Sequence, residues 1–253
     1  MQIDLSGKVA LITGATGDLG RVMTRTLAAC GADMAIHYLN NEKKAEELAG
    51  EVRAMGRRAI TVQADITSLE SVLAMEETVR QALGSPDIVV ANAVIQYKWT
   101  TILNQPAEDY ESQFRSCVMQ NVFLAKAFIP AMVEKKGGRY IGINTECALQ
   151  CTPTESAYVS GKRGMDGVLR VLAREVGRHG ITVNQVAPGW TVSDRDRAAG
   201  TESSPDYERR VPMGRRGTDQ EIANAVAFLA SGLASFITGA ILPVSGGTVM
   251  PAI

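Results

Sequence analysis

Tyr158 and Lys162 stand four residues apart, so a helix carrying them presents a phenol and an ammonium on one face. A free phenol titrates near pH 10, too high for efficient proton transfer at neutrality. A cation one helical turn away favours the phenolate. Thr145, thirteen residues upstream, adds a hydroxyl. Near the other end of the chain, Thr13-Gly14-Ala15-Thr16-Gly17-Asp18-Leu19-Gly20 forms a glycine-punctuated turn after an apolar run. A strand that turns sharply into a helix aims backbone N–H groups and the helix dipole at whatever lies above, and a pyrophosphate is the natural occupant. Each half is weak evidence alone, because four-residue Tyr/Lys spacings and glycine-rich turns are both common. In this order they read as two halves of one site, one for phosphates and one for a proton.

The elements that must position these residues alternate along the whole chain. Strand-like runs fall at Lys8 to Thr13, Met34 to Tyr38, Ala59 to Gln63, Asp87 to Ala91, Arg139 to Asn144, Ile181 to Val186 and Ala240 to Val244. Helical periodicity fills the gaps, with Ala45, Leu48, Ala49, Val52 and Met55 as one apolar stripe. Two helices are expected across roughly Pro106 to Lys135, and the Tyr158 helix should reach about Gly177. Thr67-Ser68-Leu69-Glu70 and Thr218-Asp219-Gln220-Glu221 both read as capping boxes. This alternation predicts one α/β domain, a parallel sheet covered by helices on both faces. The stretch from Trp190 to Arg210 is charged, rich in Ser, Gly and Pro, and without periodicity. A loop of that length at the carboxyl edge of the sheet is a candidate lid.

Bulk properties narrow the function. With 253 residues, 45% apolar and 21% charged, the chain suits one large globular domain. A net charge of -1 argues against nucleic-acid binding. No apolar run looks long enough to span a bilayer, and Met1 to Leu5 lacks a signal-peptide layout. Cys30, Cys117, Cys147 and Cys151 show no disulfide spacing, so a reducing cytoplasm is expected. Cys147 and Cys151 lack neighbouring histidines, so no metal is expected.

Taken together, the glycine turn, Asn92, Thr145 and the Tyr158/Lys162 pair resemble the short-chain dehydrogenase/reductase family in its compact single-domain branch, from about Leu5 to Gly247. The resemblance implies a Rossmann-like doubly wound sheet and an NAD(P)(H)-dependent oxidoreductase. It implies that Tyr158 is the general acid/base, that Lys162 also holds the cofactor ribose, and that Thr145 stands for the family's orienting serine. It matches Asn121 to a proton-relay asparagine, an ordinary helix-interior polar residue being the alternative. Cofactor contacts carried over by position are Gly14, Thr16, Gly17, Asp18, Leu19 and Gly20 in the turn, with Tyr38, Leu39 and Asn40 after the second strand. Asp65, Ile66, Asn92, Ala93, Pro188, Gly189 and Ser193 complete that set. Asp18 replaces a family glycine and reads either as the helix N-cap or as a carboxylate that weakens pyrophosphate binding. Val94 replaces another glycine. Ala91 stands in place of the family's first asparagine after strand four, and Ser245 replaces an Asp near the C-terminus.

Tyr38 stands where NAD users carry an acidic residue for the ribose. With no carboxylate there, and with Lys43 or Lys44 within reach, NADP(H) is favoured over NAD(H). Gln96, Tyr97, Trp99, Glu146, Gln150, Cys151 and Trp190 are the candidate substrate-facing residues by position. They suit a small oxygenated alcohol or carbonyl compound better than a long acyl chain. The resemblance further implies a homotetramer. Two other readings stay open: a sugar-nucleotide epimerase or dehydratase, and a cofactor-binding regulatory protein of the same fold without turnover.

Overall fold

The computed structural model describes residues 2–251. Its centre is a seven-stranded parallel sheet in the order β3 (Ala59–Gln63), β2 (Asp33–Tyr38), β1 (Val9–Ile12), β4 (Ile88–Ala91), β5 (Gly138–Ile143), β6 (Ile181–Pro188) and β9 (Ile241–Val244). The elements run β1 Val9–Ile12, α1 Asp18–Ala29, β2 Asp33–Tyr38, α2 Glu42–Ala54, β3 Ala59–Gln63, α3 Leu69–Leu83 and β4 Ile88–Ala91. Next come α4 Ala107–Gln113, a π-helical turn Phe114–Met119, α5 Gln120–Glu134, β5 Gly138–Ile143, the short α6 Cys147–Gln150 and α7 Ser156–Val176. The chain closes with β6 Ile181–Pro188, β7 Thr191–Val192, α8 Asp194–Ala199, α9 Pro205–Glu208, β8 Gly217–Thr218, α10 Asp219–Ala230 and β9 Ile241–Val244.

Strand residues alternate between two cores because successive side chains point to opposite faces of a sheet. Ala10, Ile12, Met34 and Ile36 pack against Met23, Leu27, Leu48 and Val226 of α1, α2 and α10. Val9, Leu11, Ala35 and Val89 pack against Val79, Leu124, Phe128 and Leu169 of α3, α5 and α7. The strand order reverses between β1 and β4, which opens a crevice at their carboxyl ends where ligands of such sheets bind.

Several local expectations need correction. The cap of α3 lies one residue later than the pattern suggested: Ser68, not Thr67, accepts from the Ser71 N–H, while Thr67 bonds to Asp65. The second box forms as expected, with Thr218 and Glu221 each satisfying the other's backbone. Instead of two separate helices, residues Ala107–Glu134 form one run of 28 residues broken only by the π-turn. Contrary to the expectation of no such run, its most apolar window has a mean hydropathy of 1.4, enough by length and composition to cross a membrane. Half of that window is buried in this protein, and Leu124, Phe128 and Met132 carry it against the sheet as a core helix. The Trp190 to Arg210 stretch is not structureless either, since it holds β7, α8 and α9. Arg216, buried to 3% exposure, gathers it by donating to the carbonyls of Thr191, Thr201 and Glu202 and to the Asp196 carboxylate. Such polar contacts order the segment without leaving any periodicity in its sequence.

The crevice is fixed by a polar lattice. Thr13 Oγ1 accepts from the N–H groups of Asn92 and Ala93 at 2.9 and 3.0 Å and donates to Gln120 Oε1 at 2.8 Å. Gln120 Nε2 returns to the Ala93 carbonyl at 2.8 Å. Thr13→Val keeps the shape but strands two buried N–H donors and the Gln120 oxygen. It should destabilise the fold by about 3 kcal/mol in denaturant unfolding, whereas Thr13→Ser should cost under about 1 kcal/mol. Equal midpoints for the two variants would show that the lattice contributes nothing.

Candidate active site

The phosphate end is built from a glycine turn with no room for side chains. Gly14 takes φ +62°, and a Cβ on Gly20 would lie 2.2 Å from the Gly14 carbonyl oxygen. A helix can therefore start directly on the turn, with Gly17 as the N-cap of α1 and no side chain closing it. Gly14, Thr16, Gly17, Asp18, Leu19, Tyr38, Leu39, Asn40, Ile66, Asn92 and Ala93 line one cleft of roughly 640 Å³. An elongated dinucleotide fits this cradle of bare backbone donors at a helix N-terminus. Asp18 is the first helical residue and not the N-cap. Its carboxylate pairs with Arg21 at 3.1 Å, and Arg21 also bonds to Asp194 at 2.6 Å.

Other expected contacts fall differently. Gly20 lies under the turn, outside the cleft wall, and Asp65 spends one oxygen on the N–H and hydroxyl of Thr67. Ser193 is the N-cap of α8 in a capping box with Asp196, so its hydroxyl is already engaged. Pro188 ends β6 and takes the Glu146 N–H at 2.8 Å, and Gly189 borders the neighbouring cavity. The cation on the cleft wall is Arg195, from the segment after β7, and neither Lys43 nor Lys44 lines it. The periodicity of the sequence gave no signal for that placement.

His37 also supports the turn, a role that no motif in the sequence signals. It is 2% exposed; its Nδ1 accepts from the Gly14 N–H at 2.9 Å and its Nε2 lies 3.0 Å from the Ala64 carbonyl. These partners select the neutral tautomer protonated on Nε2.

The chemical end is a cavity of roughly 400 Å³. Tyr158 and Thr145 line it, together with the expected Gln96, Tyr97, Trp99, Glu146, Gln150 and Trp190. Cys151 is not in the wall, while Cys147, Glu155, Tyr207 and Arg210 are. Glu155 could have been suspected from its place three residues before Tyr158. Tyr207 and Arg210 depend on how the chain returns after β7. The Tyr97 hydroxyl accepts from the Tyr158 N–H at 2.8 Å, and the Trp99 ring stacks on Tyr158 with centroids 6.0 Å apart.

Lys162 is 3% exposed, and its Nζ donates to the Ile143 carbonyl at 2.6 Å while lying 5.7 Å from the Tyr158 ring centre. Burial pushes the Tyr158 hydroxyl up, and the contact with Thr145 pulls it partly back. Burial also holds Lys162 below the ordinary lysine range. The expected depression of the phenol by Lys162 is thus outweighed by desolvation in the protein alone.

Asn121 does not reach this cavity. Its Nδ2 donates to the Cys117 carbonyl at 2.6 Å, and its Oδ1 accepts from the buried Tyr140 hydroxyl at 2.8 Å. Gln113 and Cys117 pack against the Tyr158–Lys162 stretch instead, the Cys117 Cβ lying 3.2 Å from where a Cβ on Gly161 would be. The π-turn adds a residue to the ring of hydrogen bonds and re-aims every side chain on it. The match of Asn121 to a relay asparagine therefore does not hold in the structure, where its amide is spent on Cys117 and Tyr140.

A doubly wound parallel sheet with a dinucleotide cradle at its switch point, beside a Tyr/Lys/Thr cavity, defines a nicotinamide-dependent oxidoreductase. The sequence matches the family model described as enoyl-(acyl carrier protein) reductase over residues 14–249. It is 38% identical over 248 residues to the 3-oxoacyl-[acyl-carrier-protein] reductase FabG of Escherichia coli, covering 98% of this chain and all of that protein. A 7α-hydroxysteroid dehydrogenase complexed with NADH and 7-oxo glycochenodeoxycholic acid superposes with a TM-score of 0.89 at 30% identity, over 99% of this chain and 97% of that one. A gluconate 5-dehydrogenase from Burkholderia cenocepacia in complex with NADP and tartrate gives 0.89 at 29% identity, over 98% and 97% of the two chains. The chain belongs to the short-chain dehydrogenase/reductase family.

His37 gives the cradle a pH limit. Protonation would remove the acceptor of the Gly14 N–H. Burial holds His37 below its free value of 6.5, so stability owed to the neutral ring is complete above that pH and is lost as the pH falls through the lower folded value. Thermal melts between about pH 7.5 and about pH 5 should show a Tm decline in the wild type that is shallower in His37→Asn. Parallel declines would remove His37 from the account.

Proposed function

We propose that the protein interconverts a secondary alcohol and its carbonyl on a small oxygenated substrate, with Tyr158 as the acid/base. The observation that carries this reading is the convergence of Tyr158 and Thr145 on one cavity wall, with Lys162 buried directly behind. In the reducing direction the Tyr158 hydroxyl gives its proton to the substrate oxygen as the carbon gains a hydride, and oxidation reverses both transfers. When bound, the nicotinamide supplies or takes that hydride. The Thr145 hydroxyl holds the reacting oxygen. Only one Lys162 N–H is spent on the Ile143 carbonyl, which leaves donors for a ribose hydroxyl and for stabilising the phenolate. Cys117 occupies the place where a relay asparagine was expected, so the proton leaves Tyr158 without a side-chain amide at that position.

NADP(H) is the proposed cofactor. Tyr38 presents no negative charge to a 2′-phosphate, and Arg195 adds a cation to the cleft wall. Segment 190–210 is the proposed lid, since Arg195 borders the cofactor cleft while Trp190, Tyr207 and Arg210 border the substrate cavity. A homotetramer with two-fold contacts is supported by the apolar groove of Val122, Ile129, Val133, Val168, Val171 and Leu172 between α5 and α7. Four free cysteines suit a reducing cytoplasm.

Tyr158→Phe removes only the phenolic oxygen and its proton. It should lower kcat/KM by about a thousandfold and leave cofactor binding intact by fluorescence titration; near-wild-type turnover would end the mechanism. Tyr38→Asp introduces both a repulsion for the phosphate and an acceptor for the ribose. The ratio of NADPH to NADH affinity should fall by about tenfold or more, or about 1.4 kcal/mol. A wild type that already prefers NADH strongly would refute the cofactor assignment.

A further inference from the structure

Two carboxyl groups stand in the wall of the Tyr158 cavity, each with one oxygen that is buried and has no hydrogen-bond partner among the described residues. Glu146 is 4% exposed; its Oε1 accepts from the Tyr207 hydroxyl at 2.9 Å, and its Oε2 is buried without a partner. A Cβ on Gly189 would lie 3.0 Å from that second oxygen, so the side chain is confined against the loop after β6. Glu155 is 8% exposed, and its Oε2 is likewise buried and unpartnered. Although it stands at the N-cap of α7, its carboxyl accepts nothing from the helix's free N–H groups. Its side-chain contact is the Cys147 thiol, itself pushed up to about 12 by burial. An unsatisfied buried acceptor costs about 1–3 kcal/mol, and two in one wall beside the reacting hydroxyl need a functional explanation.

The remaining surface of the cavity selects among possible occupants. Gln96 and Gln150 offer amides, and Trp99 and Trp190 offer flat apolar faces with polar tips. Arg210 is the only cation among the lining residues; it is exposed, and its Nε is held by the Asp206 carbonyl at 3.3 Å. A hydroxyl donor suits a carboxyl in either protonation state, because both forms keep an acceptor oxygen. An acyl chain would cover both oxygens without pairing them. A carboxylate placed against them would meet like charge or compete for one proton.

We propose that Glu146 and Glu155 are specificity-determining residues that accept hydrogen bonds from the hydroxyl groups of a polyhydroxylated substrate, a polyol or ketose-like chain whose reacting carbon lies at Tyr158. This rests on the oxidoreductase reading above and goes further by naming the substrate class. A site built to pair substrate hydroxyls rejects analogues that lack them far more strongly than an apolar pocket rejects an added group.

The test measures kcat/KM of the intact protein with NADP+ and NAD+ on four- to six-carbon polyols and on 2-hexanol. At least one polyol should exceed 2-hexanol by about a hundredfold. That ratio should fall about tenfold or more in Glu155→Leu and recover in Glu155→Gln, which keeps an acceptor. Equal values for polyols and 2-hexanol in the wild type overturn the proposal while leaving the oxidoreductase reading standing. An unchanged ratio in folded Glu155→Leu also overturns it. If that variant does not fold, the wild-type ratio decides alone. No turnover of any alcohol, or of the corresponding ketoses with NADPH and NADH, overturns both readings together.

Discussion

The Thr13 hydroxyl is the interaction on which the site most depends. One oxygen accepts from two N–H groups at the end of β4 and donates to Gln120 on α5, joining segments more than a hundred residues apart in sequence. Parallel strands end in backbone groups that no further strand can pair, and a buried unpaired group is costly. The lattice closes those ends with side chains and leaves the crevice open above them. Asn92 extends it by donating to the carbonyls of Thr13 and Gly14 at 2.9 and 3.2 Å. His37 extends it from the other side through the Gly14 N–H. The glycine turn is therefore held from two strands before any ligand arrives, and its shape does not need to be formed on binding.

The chemical side uses burial as its main lever. Tyr158 and Lys162 sit on the same helix face, yet desolvation raises the phenol and lowers the ammonium. Each shift favours the neutral form, because removing a lone charge from water costs more than a moderately distant partner returns. A proton held this way stays on the tyrosine until charge develops nearby, which suits a group that must donate and then recover it. Glu146 and Glu155 are raised by the same burial.

The segment after β6 ties the two halves together. Arg216 is surrounded by carbonyls and by Asp196 and stacks over Trp190 at 4.2 Å, and Arg197 forks onto Asp219 at the start of α10. Arg21 on α1 reaches Asp194 at the start of α8. Removing Asp196 would leave the buried Arg216 charge without its carboxylate, so the segment holds its shape through a few arginines instead of an apolar core. Its inner side supplies Trp190, Tyr207 and Arg210 to one cavity and Arg195 to the adjoining cleft.

The sequence by itself determined the sheet, its strand boundaries to within a residue or two, the glycine turn and the Tyr158–Lys162 face. Each of these depends on periodicity or on short spacing, which local backbone geometry translates directly into position. Most of the lining of the cleft over the glycine turn was legible for the same reason, since it is the end of one strand and the start of one helix. The tertiary structure decided what local geometry leaves open. Asn121 bonds to Tyr140, and Cys117 on the π-turn packs against the helix of Tyr158 and Lys162, a local change of helix geometry that has no compositional signature. Arg216 ordered a stretch that looks unstructured by composition, through hydrogen bonds to residues 14 to 25 positions away. Glu155 was three residues from Tyr158 in plain view, but only its burial with an unpartnered oxygen separates it from a surface acid. Burial is a property of the whole packed molecule, and no window of sequence contains it.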